Sequence, residues 1–122
     1  MEKIDGPLFE HERLHVYRAA RSAYQQVRSW LPRPMPRDLR DQLDRSIRSV
    51  VSNIAEGAGK TAKADKQRSY EFAKGSTLEA AAQLDMLHAD RIIDSTEYNE
   101  VRRLLLDVAR MLHALAGRPR TT

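Results

Sequence analysis

Proline and glycine break this chain at Gly6-Pro7, Pro32 to Pro36, Gly57 to Gly59 and Gly117 to Pro119, and hardly anywhere else. Between those breaks lie long stretches rich in Ala, Leu, Arg, Glu and Gln, in which no apolar–polar alternation of period two survives. Stretches of that length and composition form helices and exclude a sheet. A chain of 122 residues can bury one core but not two, so the helices must share it.

The helices follow from periodicity. Val16, Tyr17, Ala20, Ala23, Tyr24, Val27 and Leu31 fall on one arc at ~100° per residue, which predicts a first helix over about 11–31. Pro36 suits the first turn of a second helix over 36–58, with Asp38 near its positive end and Leu39, Leu43, Ile47, Val50 and Ile54 as its core stripe. Gly57 to Gly59 should end that helix, where glycine can adopt the left-handed cap conformation. Thr61 or Asp65 can cap a third helix over 62–90. Asp94 with Glu97 reads as a capping box for a fourth over 95–116, whose stripe is Val101, Leu104, Leu105, Val108, Met111, Leu112 and Leu115. Short connections make successive helices antiparallel neighbours, so the predicted fold is all-α, an up-down-up-down antiparallel four-helix bundle with short flexible tails.

The third helix has two apolar or small-residue seams. Ala73, Thr77, Ala80, Leu84 and Leu87 form one; Gly75, Leu78, Ala82, Met86 and Ala89 form the other. Only one can face a bundle core, and a monomer leaves much of the second in water. The second seam is therefore a candidate homo-oligomer interface, against the simpler reading that an alanine-rich helix tolerates exposure.

Charge is uneven along the chain. The net charge is +4, with six arginines and no acid from Arg13 to Arg37. Lys60, Lys63, Lys66 and Arg68 stand against Asp65 alone, while acids gather at Asp38 to Asp44 and after Glu79. Such asymmetry is compatible with a polyanion partner, RNA or DNA, or with a solvated helix face. The candidate nucleic-acid contacts are Arg18, Arg21, Arg28, Arg33, Arg37, Lys60, Lys63, Lys66 and Arg68. The chain has no cysteine, which excludes disulfides and thiolate metal sites. The start Met-Glu-Lys-Ile-Asp-Gly-Pro lacks a signal-peptide pattern and no apolar run approaches a membrane span, so a cytoplasmic protein without membrane contact is expected.

Arg45 to Gly57 carries polar and small residues where a core helix avoids them. Ser46, Asn53 and Gly57 lie along one edge of the buried stripe, and Arg45, Ser49, Ser52 and Glu56 form a ridge beside it. Buried Ser and Asn need hydrogen-bond partners. The turn at Gly57 folds the third helix back on this region, so Asn53 or Arg45 can meet Ser76 or Glu79. A satisfied polar set there fixes register between the two helices, a structural role favoured over a catalytic one. Its members are Arg45, Ser46, Asn53, Glu56, Gly57, Gly75, Ser76 and Glu79.

These motifs resemble the four-helix-bundle proteins encoded in intervening sequences of bacterial 23S ribosomal RNA genes. The resemblance covers Leu14-His-Val-Tyr-Arg-Ala-Ala20, the Leu31-Pro32 helix exit, Ser46 to Gly57 with its Asn-Ile-Ala-Glu-Gly end, and Phe72-Ala-Lys-Gly-Ser-Thr-Leu-Glu79. It implies a four-helix bundle assembling into a ring, typically a homopentamer, and supplies no enzymatic activity. More distantly similar bundles are accessory proteins of diversity-generating retroelements, which bind nucleic acid through a basic surface; they lack the Asn-Ile-Ala-Glu-Gly motif present here.

Enzymatic chemistry is not indicated. Carboxylate-x-x-His occurs at Glu12 to His15 and at Asp85 to His88, but these would sit near opposite ends of parallel helices, on the order of 30 Å apart, too far to share a metal. There is no nucleophile elbow, and Gly57-Ala-Gly-Lys60-Thr follows a helix rather than a strand, presenting carbonyls instead of the N–H groups that phosphate needs. No catalytic residue, metal, cofactor or small-molecule substrate is assigned. The expected function is a non-enzymatic oligomer with a basic, nucleic-acid-binding surface, or a protein–protein scaffold with no nucleic-acid role.

Overall fold

Four helices alternate in direction along the chain, and the computed structural model describes them within residues 4–117. They are α1 (His15–Trp30), α2 (Arg37–Gly59), α3 (Lys63–Ala89) and α4 (Ser95–Ala116). Each packs on its neighbours in sequence, and α4 closes on α1. The arrangement is a square in which α1 lies diagonal to α3 and α2 diagonal to α4. The α1–α2 and α3–α4 loops share one end of the bundle; the α2–α3 turn lies at the other.

The core follows the periodic stripes. Leu39, Leu43, Ile47, Val50 and Ile54 of α2 are buried, as are Val101, Leu105, Val108 and Leu112 of α4. Val16, Ala20, Ala23 and Val27 are buried in α1, with Tyr17, Tyr24 and Leu31 half-buried beside them. Trp30 is buried although the stripe read from the sequence passes over it, because it follows Ala23 and Val27 at helical spacing. Leu115, counted in the α4 stripe, is exposed, and Ala116 takes the inner position.

Several helix ends differ from the sequence reading. A 3-10 turn at Glu10–Arg13 precedes α1, and Leu14 is extended between them, so the helix starts later than the periodicity indicates. Pro36 is the N-cap of α2 rather than a first-turn residue; its extended backbone leads the chain into the helix. The N-cap of α3 is Ala62, which lacks a side-chain hydrogen bond, and neither Thr61 nor Asp65 fills that place. Gly57 stays inside α2, and Gly59 ends it without a left-handed residue, since Lys60 is extended. The Lys66 ammonium instead donates to the carbonyls of Gly57 (2.9 Å) and Ala58 (3.1 Å), satisfying acceptors that the helix end leaves open. The capping box at α4 is formed: Glu97 N–H donates to Asp94 Oδ1 at 2.8 Å, and Asp94 N–H to Glu97 Oε1 at 3.0 Å. The predicted tails lie partly outside the described residues, as does Pro119.

One ion pair ties the α1–α2 loop to the first turn of α4 at the double-loop end. Arg33 donates through both terminal nitrogens to Glu97 and also reaches the carbonyl of Ile92 at 2.9 Å. That bond, helped by the Asp94 N–H, holds the Glu97 carboxyl at about 2, well below its ordinary value. Arg40 donates to the Leu31 and Arg33 carbonyls, closing the end of α1.

Candidate functional site

The polar motif of α2 and its facing residues on α3 form a narrow seam rather than a cleft. The direct links across it are Ser49 to Ser76, 2.7 Å between hydroxyls, and a longer 3.5 Å contact from Ser46 to Glu79. Asn53 turns back along its own helix, donating to the carbonyl and the hydroxyl of Ser49, both at 2.9 Å. Asn53 therefore reaches Ser76 only through Ser49. The pairing of Asn53 or Arg45 with Ser76 or Glu79 that the spacing suggested is replaced by this chain, because a short Asn side chain at the seam's edge lies closer to its own preceding turn.

The other motif residues separate by face. Arg45 is exposed and bonds to no described residue. Glu56 is exposed and pairs at 3.7 Å with Lys60, an i, i+4 surface bridge worth little on its own. Gly57 is buried where α2 crosses α3: a Cβ there would lie 2.7 Å from Tyr70 Cε1 and 3.1 Å from Ser69 Cβ. Its glycine permits that close approach. Gly75 faces outward, with nothing within 4 Å of an added Cβ.

Sequence reasoning missed the residue that bridges this seam. Ser49 is its central bridge, visible beforehand only as one member of a ridge. Gln83 is buried on α3 with its Oε1 bonded to no described residue, a cost that periodicity gives no sign of.

The two seams of α3 separate cleanly. Ala73, Thr77, Ala80, Leu84 and Leu87 are all buried, and the Thr77 hydroxyl is satisfied by the Ala73 carbonyl at 2.7 Å. Gly75, Leu78, Ala82, Met86 and Ala89 are all exposed. Leu78 is 57% exposed, Met86 47%, and Phe72, one turn before Gly75 on the same strip, 57%. The strip is the outermost edge of the α3 corner.

The basic candidates do not converge on one surface. Arg18, at the start of α1, and Lys60 to Arg68 lie near the single-turn end; Arg28, Arg33 and Arg37 lie near the other. Several already have work inside the chain. Arg28 pairs with Asp44 at 2.6 Å, Arg33 with Glu97, Lys60 with Glu56, and Lys66 closes α2. Arg68 lies over the Phe72 ring, 5.8 Å from its centroid, and Arg21 also has a partner. Arg37 and Lys63 are exposed and bond to no described residue.

Two histidines contact neighbouring side chains. His88 stacks on Tyr98 at 4.3 Å and lies 3.2 Å from the Ser95 hydroxyl; His113 Nδ1 lies 3.2 Å from the Lys74 ammonium. Among the described residues there is no group of three metal-ligating side chains, and no helix is long and apolar enough to cross a membrane.

Comparison with known proteins gives a family and a fold. The 23S rRNA-intervening sequence protein family matches residues 12–114. A crystal structure of a protein of unknown function from the S23 ribosomal protein family of Bacteroides thetaiotaomicron superposes with a TM-score of 0.76 at 16% identity, covering 84% of this chain and 99% of that one. At that identity the likeness is one of fold. No protein of curated function matches the chain.

Proposed function

We propose, from the premise that the chain belongs to the 23S rRNA-intervening sequence protein family, that it is a non-catalytic homo-oligomer whose subunits meet through the outer edge of α3. The observation that carries this reading is the exposed strip Phe72, Gly75, Leu78, Ala82 and Met86 on a helix whose opposite face already fills the core. Scattered exposed apolar residues are ordinary, but a continuous strip along one helix edge marks a contact. A glycine at its centre adds to the argument, since Gly75 costs helix stability and has no steric reason within the chain. A closed ring is the assembly proposed, with five copies the number the family resemblance implies.

The test is solution mass by light scattering for the wild type and Leu78→Glu, with Gln25→Glu on α1 as a control. The wild type and the control should assemble, and Leu78→Glu should run as a monomer with unchanged helicity. A monomeric wild type contradicts the reading.

A second reading, contact with RNA or DNA, is favoured by α1, which carries three arginines and no acid. A ring would repeat that modest charge and raise avidity without a strong single site. It predicts binding to a structured RNA that weakens steeply with salt, and no binding at low salt removes it. A scaffold that holds another protein instead would retain that partner in high salt.

A further inference from the structure

We infer that the side of the bundle between α1 and α2 is a binding site for single-stranded nucleic acid, with Phe9 as a stacking platform and Arg21, Arg28 and Arg48 as phosphate contacts. This rests on the second reading above, contact with RNA or DNA, and names its surface and the form of the strand.

Helical spacing builds the site. Tyr17, Arg21, Tyr24 and Arg28 follow one another at intervals of four, three and four residues, so they share one edge of α1. That edge faces α2, because Arg28 donates to Asp44 at 2.6 Å. Arg48 donates to the same carboxylate at 3.0 Å. Asp44 first, and Tyr24 after it, raise the Arg48 pKa, which sets that guanidinium beside the ring as well. Arg28 lies over the Tyr24 ring, 5.6 Å from its centroid. Half-buried tyrosine rings thus alternate with guanidinium groups along the helix. At 1.5 Å per residue the row from Tyr17 to Arg28 spans about 16 Å, room for about five nucleotides spaced by about 3.4 Å.

The row continues past the start of α1. The His11 ring meets Tyr17 edge-on at 4.6 Å, and Phe9 stacks on His11 at 5.8 Å with the planes 5° apart. Phe9 is 72% exposed, the highest among the large apolar side chains described. Its backbone is nevertheless held, with the N–H donating to Glu12 Oε1 at 2.8 Å and the carbonyl accepting from the Glu12 N–H at 3.0 Å. A held ring with one face on His11 and the other open is a platform for a base, whose π-face stacks whatever its sequence.

Charge divides the surface into two parts. Within the row, Arg21, Arg28 and Arg48 stand against Asp44, and one carboxylate shared by two guanidinium groups leaves that cluster positive. Arg40, which donates to the Leu31 and Arg33 carbonyls, adds a cation beyond Arg28. On the outer edge of α2, Asp41 and Glu56 flank the exposed Arg45, and Glu56 is paired with Lys60. Glu10 and Glu12 stand beside Phe9 and repel phosphate there. Bases therefore meet the aromatic end and phosphates the arginine end. A duplex hides the base faces that this arrangement engages, so the site selects an unpaired strand. The exposed edge of α3 is on the corner diagonal to α1, so the two do not compete for one surface.

Fluorescence anisotropy at low salt, with a labelled short oligouridylate, an oligothymidylate and an RNA duplex of equal length, tests the inference. Either strand should bind the wild type more tightly than the duplex does, and the tighter of the two identifies RNA or DNA as the source. Phe9→Ala, with its fold checked by circular dichroism, should weaken strand binding by roughly tenfold, the scale of one lost base stack. Arg48→Gln should weaken it more than Arg103→Gln, at an exposed position on α4, because only the first removes charge from the row. Duplex bound as tightly as the strands, Phe9→Ala binding like the wild type, or equal losses from the two arginine variants would overturn this site while contact by charge alone survives. No binding of any probe at low salt overturns both.

Discussion

Gly57 and Gly75 both sit inside long helices, and the chain explains only one of them. At Gly57 the backbone of α2 comes so near Tyr70 that a Cβ would sit 2.7 Å from the ring. At Gly75 an added Cβ meets nothing within 4 Å. A glycine in a helix interior costs about 0.5–1 kcal/mol relative to alanine. The inner glycine offsets that cost with a tight α2–α3 crossing inside the chain. The outer one has no such compensation within a single copy, and it lies in a strip of exposed Phe72, Leu78 and Met86. In the proposed assembly, the contact between copies supplies the reason that the single chain lacks.

The contrast between the inner and outer faces of α3 can be broken by substitution. Leu84 is fully buried in the inner seam, and Leu84→Ala should destabilise the fold by about 2–5 kcal/mol in denaturant unfolding. Leu78→Ala on the outer face should change unfolding at dilute concentration by less than about 0.5 kcal/mol, while weakening assembly. Similar losses from both would erase the distinction.

Gly57→Ala sharpens it next. Ala is the better helix former, yet the clash with Tyr70 should make the change destabilising by about 1–3 kcal/mol, read as a lowered urea midpoint. A stabilised variant would mean that the crossing relaxes freely.

The Arg33–Glu97 pair gives a pH-dependent contribution independent of either face. The folded carboxyl titrates at about 2, below its ordinary value near 4.5, so its stabilisation is complete above about pH 5 and is lost as pH falls toward 2. Both side chains are partly exposed, and solvent screening holds the contribution to about 1 kcal/mol. Glu97→Gln should be less stable than the wild type at pH 7, and the two should converge in acid. Parallel stability curves down to pH 2 would remove the pair from the account.

Gly75→Ala is the smallest effect and the most particular. Measured at dilution, where the copies separate, it should raise stability by up to about 1 kcal/mol through helix propensity, and at high concentration it should loosen assembly. Gain in one assay with loss in the other is the signature of an outer contact.

The sequence was most legible where one period governs. The α2 and α4 stripes and both seams of α3 can be read from spacing because a helix buries one face, and the Asp94–Glu97 box because its chemistry is local. Contacts that depend on how two helices sit together were not. Ser49 rather than Asn53 bridges to Ser76, Lys66 rather than a glycine closes α2, and Gly57 is a crossing point rather than a cap. Each depends on rotation or approach of neighbouring helices, which spacing along one chain leaves open. The basic residues show the same boundary: their number is a property of the sequence, whereas the carboxylates and carbonyls that engage Arg28, Arg33, Lys60 and Lys66 are set by the fold.

Sedimentation equilibrium of the wild type over a wide concentration range tests whether copies of the chain assemble. A species of several times 14.0 kDa that falls toward that mass on dilution is expected. A single species of 14.0 kDa at every concentration would contradict it.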